Sequence, residues 1–174
     1  MDIKPKVFVL DVDGVLTDGG FYYSVEGKLF KKFGADDNDA LSLLNPYMKI
    51  VFVTGDKRGF EISRKRIEDM HYELYRVSTI KRIDWIREQF NLDEVIYMGD
   101  GIFDHYVMRE VGYAIAPANS DKNAKTFADY VTERSGGDRA VAEACLHILE
   151  KFFVAYNPYE LPKDNINHQR DWTV

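Results

Sequence analysis

Residues 7–18 read Val-Phe-Val-Leu-Asp-Val-Asp-Gly-Val-Leu-Thr-Asp. An apolar run stops at two aspartates spaced i, i+2, and a glycine follows. The run is short and β-branched, as a buried strand is, so Asp11 and Asp13 fall at a strand's carboxyl end. A carboxylate is costly to bury unless it is paired or bound to a cation. In open α/β sheets, ligands gather at the carboxyl ends of the strands. This stretch therefore points to a fold class and to the place of a site together.

Outward from it, short apolar runs alternate with helical periods. Strands are expected at residues 7–10, 49–53, 94–98, 113–116 and 129–131. Uninterrupted runs of this kind suit a parallel sheet covered on both faces. Helices are expected near 38–44, 59–70, 80–90, 103–111 and 122–127, with a last one over 139–153. The last has an apolar face through Val141, Cys145, Ile148, Leu149 and Phe152. The alternation predicts an α/β three-layer sandwich around a central parallel sheet. One region breaks the pattern. In residues 19–33, two aromatic-rich runs flank Val-Glu-Gly-Lys, which predicts a small β-hairpin. The expected organisation is a domain over 1–155 and a polar C-terminal tail over 156–174, in which Tyr156, Tyr159, Leu161 and Trp172 could dock.

Composition narrows the function classes. At 174 residues the chain is long enough for one domain with a sizeable core. The net charge of −6 opposes binding to a phosphate backbone, so no nucleic-acid partner is expected. The single cysteine, Cys145, excludes an intramolecular disulfide and suits a reducing compartment. No signal-peptide stretch and no bilayer-length apolar segment is seen, so no membrane partner is expected and the expected location is the cytoplasm.

Three strand ends carry polar residues: Asp11 and Asp13; then Thr54-Gly55-Asp56-Lys57; then Gly99-Asp100-Gly101-Ile102-Phe103-Asp104. Parallel strands would bring them to one rim. Several carboxylates that close together repel one another. A hard divalent cation, usually magnesium, resolves that conflict and leaves positions for a substrate phosphate. One carboxylate can then act as a nucleophile. The histidines lack metal-ligand spacing, and only His105 falls near the proposed rim.

This ordered set resembles the haloacid dehalogenase superfamily of phosphohydrolases over roughly residues 6–150. Leu-Asp-Val-Asp-Gly-Val-Leu-Thr-Asp-Gly-Gly, the hairpin and the segment from Asp129 to Val141 resemble a narrower group. That group comprises the 3-deoxy-D-manno-octulosonate 8-phosphate and nonulosonate 9-phosphate phosphatases, which serve lipopolysaccharide or sialic acid biosynthesis. The resemblance implies a Rossmann-like core and a division of labour. Asp11 attacks phosphorus, and Asp13 protonates the leaving oxygen and later activates water. Magnesium is held by Asp11, Asp100 and the backbone carbonyl of Asp13, and Asp104 orients those ligands. Asp11, Thr54, the Gly55 amide and Lys81 bind the phosphate. Lys57, Arg58 and Arg82 are neighbouring cations, and the Lys81–Asp100 interval is about one helical turn shorter than in the group.

Two positions depart from the group's pattern. Gly101 stands where a second aspartate is common. Asp56 stands where octulosonate phosphatases often have arginine, which looks more like the nonulosonate enzymes. Asp56 and the Arg64 region are therefore expected to contact the sugar. Neither the interval from Asp13 to Thr54 nor that from Thr54 to Asp100 has room for a separate cap domain. The aromatic hairpin is expected to cover the rim of a neighbouring subunit, since an exposed apolar strand pair is an aggregation liability. The resemblance implies a homotetramer of that kind. The expected reaction is magnesium-dependent hydrolysis of a phosphorylated sugar acid. The competing readings are a broad-specificity sugar phosphatase, a non-catalytic oligomerisation module and a phosphate-accepting regulator.

Overall fold

The computed structural model describes residues 4–162. Chain order begins with β1 (Val7–Asp11), a hairpin of β2 (Tyr22–Ser24) and β3 (Gly27–Phe30), and α1 (Asp36–Leu44). Then come β4 (Lys49–Thr54), α2 (Phe60–Asp69), β5 (Glu73–Arg76), α3 (Arg82–Gln89) and β6 (Val95–Met98). The last elements are α4 (His105–Met108), β7 (Tyr113–Ala116), α5 (Lys122–Phe127), β8 (Tyr130–Val131) and α6 (Ala140–Phe152). Six strands form one parallel sheet in the order β5-β4-β1-β6-β7-β8.

Strand β1 lies inside this sheet, with Val9 facing Val51 on one side and Tyr97 on the other. All five of its residues are buried. Its side chains alternate between two cores. Phe8 and Leu10 join Phe52, Ile96 and Met98 under Leu41 and Leu44 of α1, Ile67 of α2 and Cys145 and Ile148 of α6. Val7 and Val9 join Val53, Tyr97 and Ala116 under Ile86 of α3, Val107 of α4 and Ala124 of α5. Each such side chain contributes about 1.5–3 kcal/mol by leaving water. Both faces are covered, which explains why the strand reads as an unbroken apolar run. The expected three-layer α/β architecture is present, and no cap domain interrupts the described residues.

Some elements differ from the sequence reading. Strand β5 is absent from it. Glu73-Leu-Tyr-Arg76 is an edge strand with its charged residues exposed, so it has no continuous apolar run to betray it. Helix α4 is a single turn, shorter than residues 103–111, and α3 begins only after a 3-10 turn over Thr79–Lys81. The hairpin lies where expected, and a Thr17–Phe33 bridge closes its base. Phe21, Tyr22, Tyr23, Val25, Leu29 and Phe30 are exposed along it. Residues 153–162 are irregular and pass beside Leu43, Tyr47 and Leu149. The rest of the expected tail, including Trp172, lies outside the described residues. No helix among the described residues is long and apolar enough to cross a membrane.

Asp37 ties the first helix to the last. It lies in α1 and is fully buried, and its Oδ1 accepts the Ala142 amide (2.9 Å) in the first turn of α6. Helix α6 has no side-chain cap of its own, and Arg139 before it adopts a left-handed φ of 69°. Asp37 therefore caps α6 from a distance. Its Oδ2 has no hydrogen-bond partner among the described residues, and burial pushes its carboxyl up to about 6.

Candidate active site

Asp11 is the last residue of β1, and the chain then folds into a tight loop that returns through Thr17. The Thr17 amide donates to the Val12 carbonyl (3.0 Å), and Thr17 Oγ1 accepts the amides of Gly14 (3.2 Å) and Gly19 (3.3 Å). Gly14 sits at φ +90°, and a Cβ there would lie 2.0 Å from Asp100 Oδ2. Glycine is thus required twice over, by backbone conformation and by the approach of the carboxylate. The next layer out is also glycine: a Cβ on Gly136 would lie 1.9 Å from the Gly14 carbonyl oxygen. The loop between β8 and α6 therefore packs backbone to backbone on the aspartate loop.

Asp11 is held by three donors. The Val12 amide meets Oδ1 at 2.8 Å, and Arg82 meets Oδ2 through Nη1 (2.8 Å) and Oδ1 through Nη2 (3.3 Å). Arg82 Nη1 also donates to Tyr97 Oη (2.7 Å) and Asp104 Oδ1 (2.9 Å), while Tyr97 Oη–H donates to the same Asp104 oxygen at 2.6 Å. The other Asp104 oxygen accepts the amides of Asp100 (2.9 Å) and Gly101 (2.8 Å). Asp104 is fully buried and both its oxygens are engaged, so it shapes the Asp100 loop from beneath.

The electrostatics are those of an acid cluster short of positive charge. Carboxylate oxygens of Asp11, Asp100 and Asp104 lie within 4.8 Å of one another. Burial raises Asp11, Arg82 opposes the rise and Asp104 reinforces it, leaving the carboxyl at about 6. Asp100 is pushed further, to about 8, by burial first and then by Asp11 and Asp104. One guanidinium cannot balance this set. The donors are all hard oxygens, which fits a divalent cation of the magnesium type. Asp11 and Asp100 would hold it. Asp104 is less suited, because four donors already occupy its oxygens.

The Asp13 side chain turns away from that cluster. Its Oδ2 accepts from Thr54 Oγ1 (2.9 Å), and its Oδ1 lies 2.6 Å from Lys31 Nζ. Any part in metal binding is therefore left to its backbone. Lys31 follows the hairpin directly, and its side chain is wholly buried. It also meets Asp56 Oδ2 (2.9 Å) and donates to Ser63 Oγ (2.7 Å). Lys28 pairs with Asp56 as well and lies 3.2 Å from the centroid of the Phe21 ring. Burial tends to raise Asp56, yet the bonds from Lys28 and Lys31 prevail and hold it well below the usual carboxylate range. Asp56 Oδ1 accepts the Arg58 and Gly59 amides (3.1 and 3.0 Å).

The structure brings together Asp11, Asp13, Thr54, Asp100 and Asp104, with Gly55 exposed at the end of β4 beside Thr54. It places three of the expected residues elsewhere or in other roles. Lys81 is exposed on the 3-10 turn and makes no ion pair among the described residues. The cation against Asp11 is Arg82, one residue later. Arg64 lies on the outer side of α2, gripped by Glu61 and Glu68. Asp56 is paired with two lysines and accepts amides at the start of α2, so it fastens the hairpin. His105 bonds to the Ile102 carbonyl (2.9 Å) and stacks near Tyr106 and Phe127.

Tyr97, Lys31 and Ser63 were not found by sequence reasoning, and Arg82 entered it only as a cation neighbouring Lys81. A signal for Arg82 exists: it shares the buried side of α3 with Ile86 at i, i+4, whereas Lys81 does not. Lys31 has no such signal, because its partners come from three separate segments.

Comparison with known proteins gives the family and the fold. The haloacid dehalogenase-like hydrolase family matches residues 58–144. The 3-deoxy-D-manno-octulosonate 8-phosphate phosphatase KdsC of Salmonella typhimurium is 32% identical over an alignment 150 residues long that covers 80% of this chain and 77% of that one. The cobalt-bound deoxy-D-mannose-octulosonate 8-phosphate phosphatase YrbI of Haemophilus influenzae superposes with a TM-score of 0.76 at 26% identity, covering 84% of this chain and 88% of that one. The 3-deoxy-D-manno-octulosonate 8-phosphate phosphatase of Moraxella catarrhalis, in complex with magnesium, phosphate and KDO, superposes with a TM-score of 0.74 at 27% identity, covering 84% and 86%.

Proposed function

This chain belongs to the haloacid dehalogenase-like hydrolases and is a phosphoric monoester hydrolase, and we propose that it cleaves the phosphate of a 3-deoxy-2-keto sugar acid. The carrying observation is the convergence of Asp11, Asp13, Thr54 and Asp100 at one sheet edge, with Arg82 beneath Asp11. The relatives' substrate, 3-deoxy-D-manno-octulosonate 8-phosphate, is the first compound to assay, and a nonulosonate 9-phosphate is the second. Asp56 no longer favours the second, since Lys28 and Lys31 occupy it.

In this mechanism Asp11 attacks phosphorus and forms an aspartyl-phosphate. The P–O bond to the sugar breaks, and its electron pair stays on the sugar oxygen, which takes a proton from Asp13. Water then attacks the phosphoenzyme as Asp13 takes its proton, and Asp11 is released. Arg82 fixes the direction of the Asp11 carboxylate. The Thr54 hydroxyl and the Gly55 amide receive the phosphate oxygens. Asp11, Asp100 and the Asp13 carbonyl would hold magnesium, which when bound would supply the charge neutralisation that lets a carboxylate approach a phosphate dianion.

The enzyme is further proposed to work in the cytoplasm as a homotetramer whose hairpins cover neighbouring sites. Residues 1–155 are its catalytic domain, and residues 156–174 are a tail. The test is phosphate release from a panel of sugar phosphates with magnesium and with EDTA. Turnover is expected with magnesium only, and Asp11→Asn should lose at least about a thousandfold. Robust activity of that variant sinks the nucleophile assignment. Equal turnover across the panel replaces the sugar-acid reading with a broad-specificity one.

A further inference from the structure

We propose that Lys31, through the hairpin that carries it, is the positioning residue for the Asp13 proton donor; this rests on the phosphatase reading above. The ammonium has three N–H bonds, and three oxygens surround it: Asp13 Oδ1 at 2.6 Å, Asp56 Oδ2 at 2.9 Å and Ser63 Oγ at 2.7 Å. Lys31 donates a hydrogen bond to Ser63 Oγ and is ion-paired with both carboxylates, so its nitrogen is held from three directions. The Lys31 side chain has no exposed surface, whereas that of Asp13 is 19% exposed. Lys31 therefore cannot touch a substrate and acts only through Asp13.

The two oxygens of Asp13 consequently have different tasks. Oδ1 faces the Lys31 ammonium charge at 2.6 Å, which disfavours a proton on that oxygen. The transferable proton belongs on Oδ2, the oxygen that also faces Thr54 Oγ1. The Thr54 hydroxyl has a single hydrogen. When it turns to a phosphate oxygen it ceases to donate to Asp13, and Oδ2 becomes free to face the leaving oxygen. Lys31 keeps hold of Oδ1 throughout, so the carboxyl does not swing away when Thr54 lets go. Ser63 and Asp56 anchor the lysine from α2 and from its preceding loop, which makes the hairpin part of the proton-transfer apparatus.

Leaving-group dependence separates this role from a merely structural one. A sugar alkoxide must be protonated as it departs, whereas p-nitrophenolate leaves unaided. Single-turnover release of the alcohol is measured for 3-deoxy-D-manno-octulosonate 8-phosphate and for p-nitrophenyl phosphate, using the full chain with magnesium. Lys31→Met should slow the sugar ester about a hundredfold and the aryl ester less than about tenfold. Lys31→Arg should recover much of the difference. Ser63→Ala loosens the lysine without touching Asp13, and should show the same bias at several-fold size; it carries the test if Lys31→Met does not fold. Equal losses on both esters, or none, overturn the proposal. Wild-type protein that cleaves neither ester overturns the phosphatase reading itself.

Discussion

Arg82 lies 1% exposed between Asp11, Tyr97 and Asp104, and burial of a guanidinium is tolerable only in such company. Taking it away would leave two carboxylates facing each other without a counter-charge. Arg82→Met should therefore destabilise the fold by about 3–5 kcal/mol without magnesium, and added magnesium should restore a large part of it. Its phosphatase activity should fall at least about a hundredfold. Lys81→Met, by contrast, should cost less than about threefold, since that side chain is in solvent. Thermal unfolding with and without magnesium, alongside phosphate-release rates, distinguishes the two positions. The aspartates were legible because charge at the end of an apolar run is anomalous in one dimension. The choice between two adjacent cations was not, because it depends on helix phase: an added 3-10 turn before α3 decides which of them faces inward.

At the level of the element, Asp37 joins the starts of α1 and α6 and carries a pH signature. Its pKa is about 6 in the fold against an ordinary 3.8. Below about pH 4 both folded and unfolded chains hold the proton. Between about 4 and 6 only the folded chain does, so the Asp37 contribution to stability falls as pH rises through this window and is level above it. The size is on the order of 2–3 kcal/mol at about 1.4 kcal/mol per pH unit. Asp37→Asn retains an oxygen for the Ala142 amide and should remove that share of the decline, leaving the part due to Asp11 and Asp100. Urea unfolding of both proteins at pH 4.5 and pH 7 checks this, and an unchanged difference between the two pH values refutes it. Legibility at this scale followed burial. Strands β1, β4, β6 and β7 announced themselves as continuous apolar runs because helices cover both their faces. The edge strand β5 did not, because three of its four residues meet water. The hairpin was recognised from aromatic runs around a glycine turn, while its attachment through Lys28, Lys31 and Asp56 needed three dimensions.

For the whole molecule, the hairpin is a surface on which aromatic and aliphatic side chains stand in solvent. Tyr22 and Phe30 are cross-strand partners, 55% and 65% exposed, and Val25 stands fully in solvent at the tip. Tyr22→Glu with Phe30→Glu should break the proposed tetramer into smaller species and lower activity as the cover is lost. Gel filtration with light scattering reads the first effect and phosphate release the second. A wild-type monomer with full activity would end the idea. A separate consequence follows from Gly136, whose backbone lies against the carbonyl of Gly14 although most of the chain separates them. The aspartate loop leaves the ribosome well before residues 134–139, yet its shape is completed by that later segment. Contacts of such long sequence separation form late and slow the search for the native state. The nascent chain should therefore remain chemically silent until residues 134–139 have emerged, so that an early fragment has the nucleophile but not the geometry to use it.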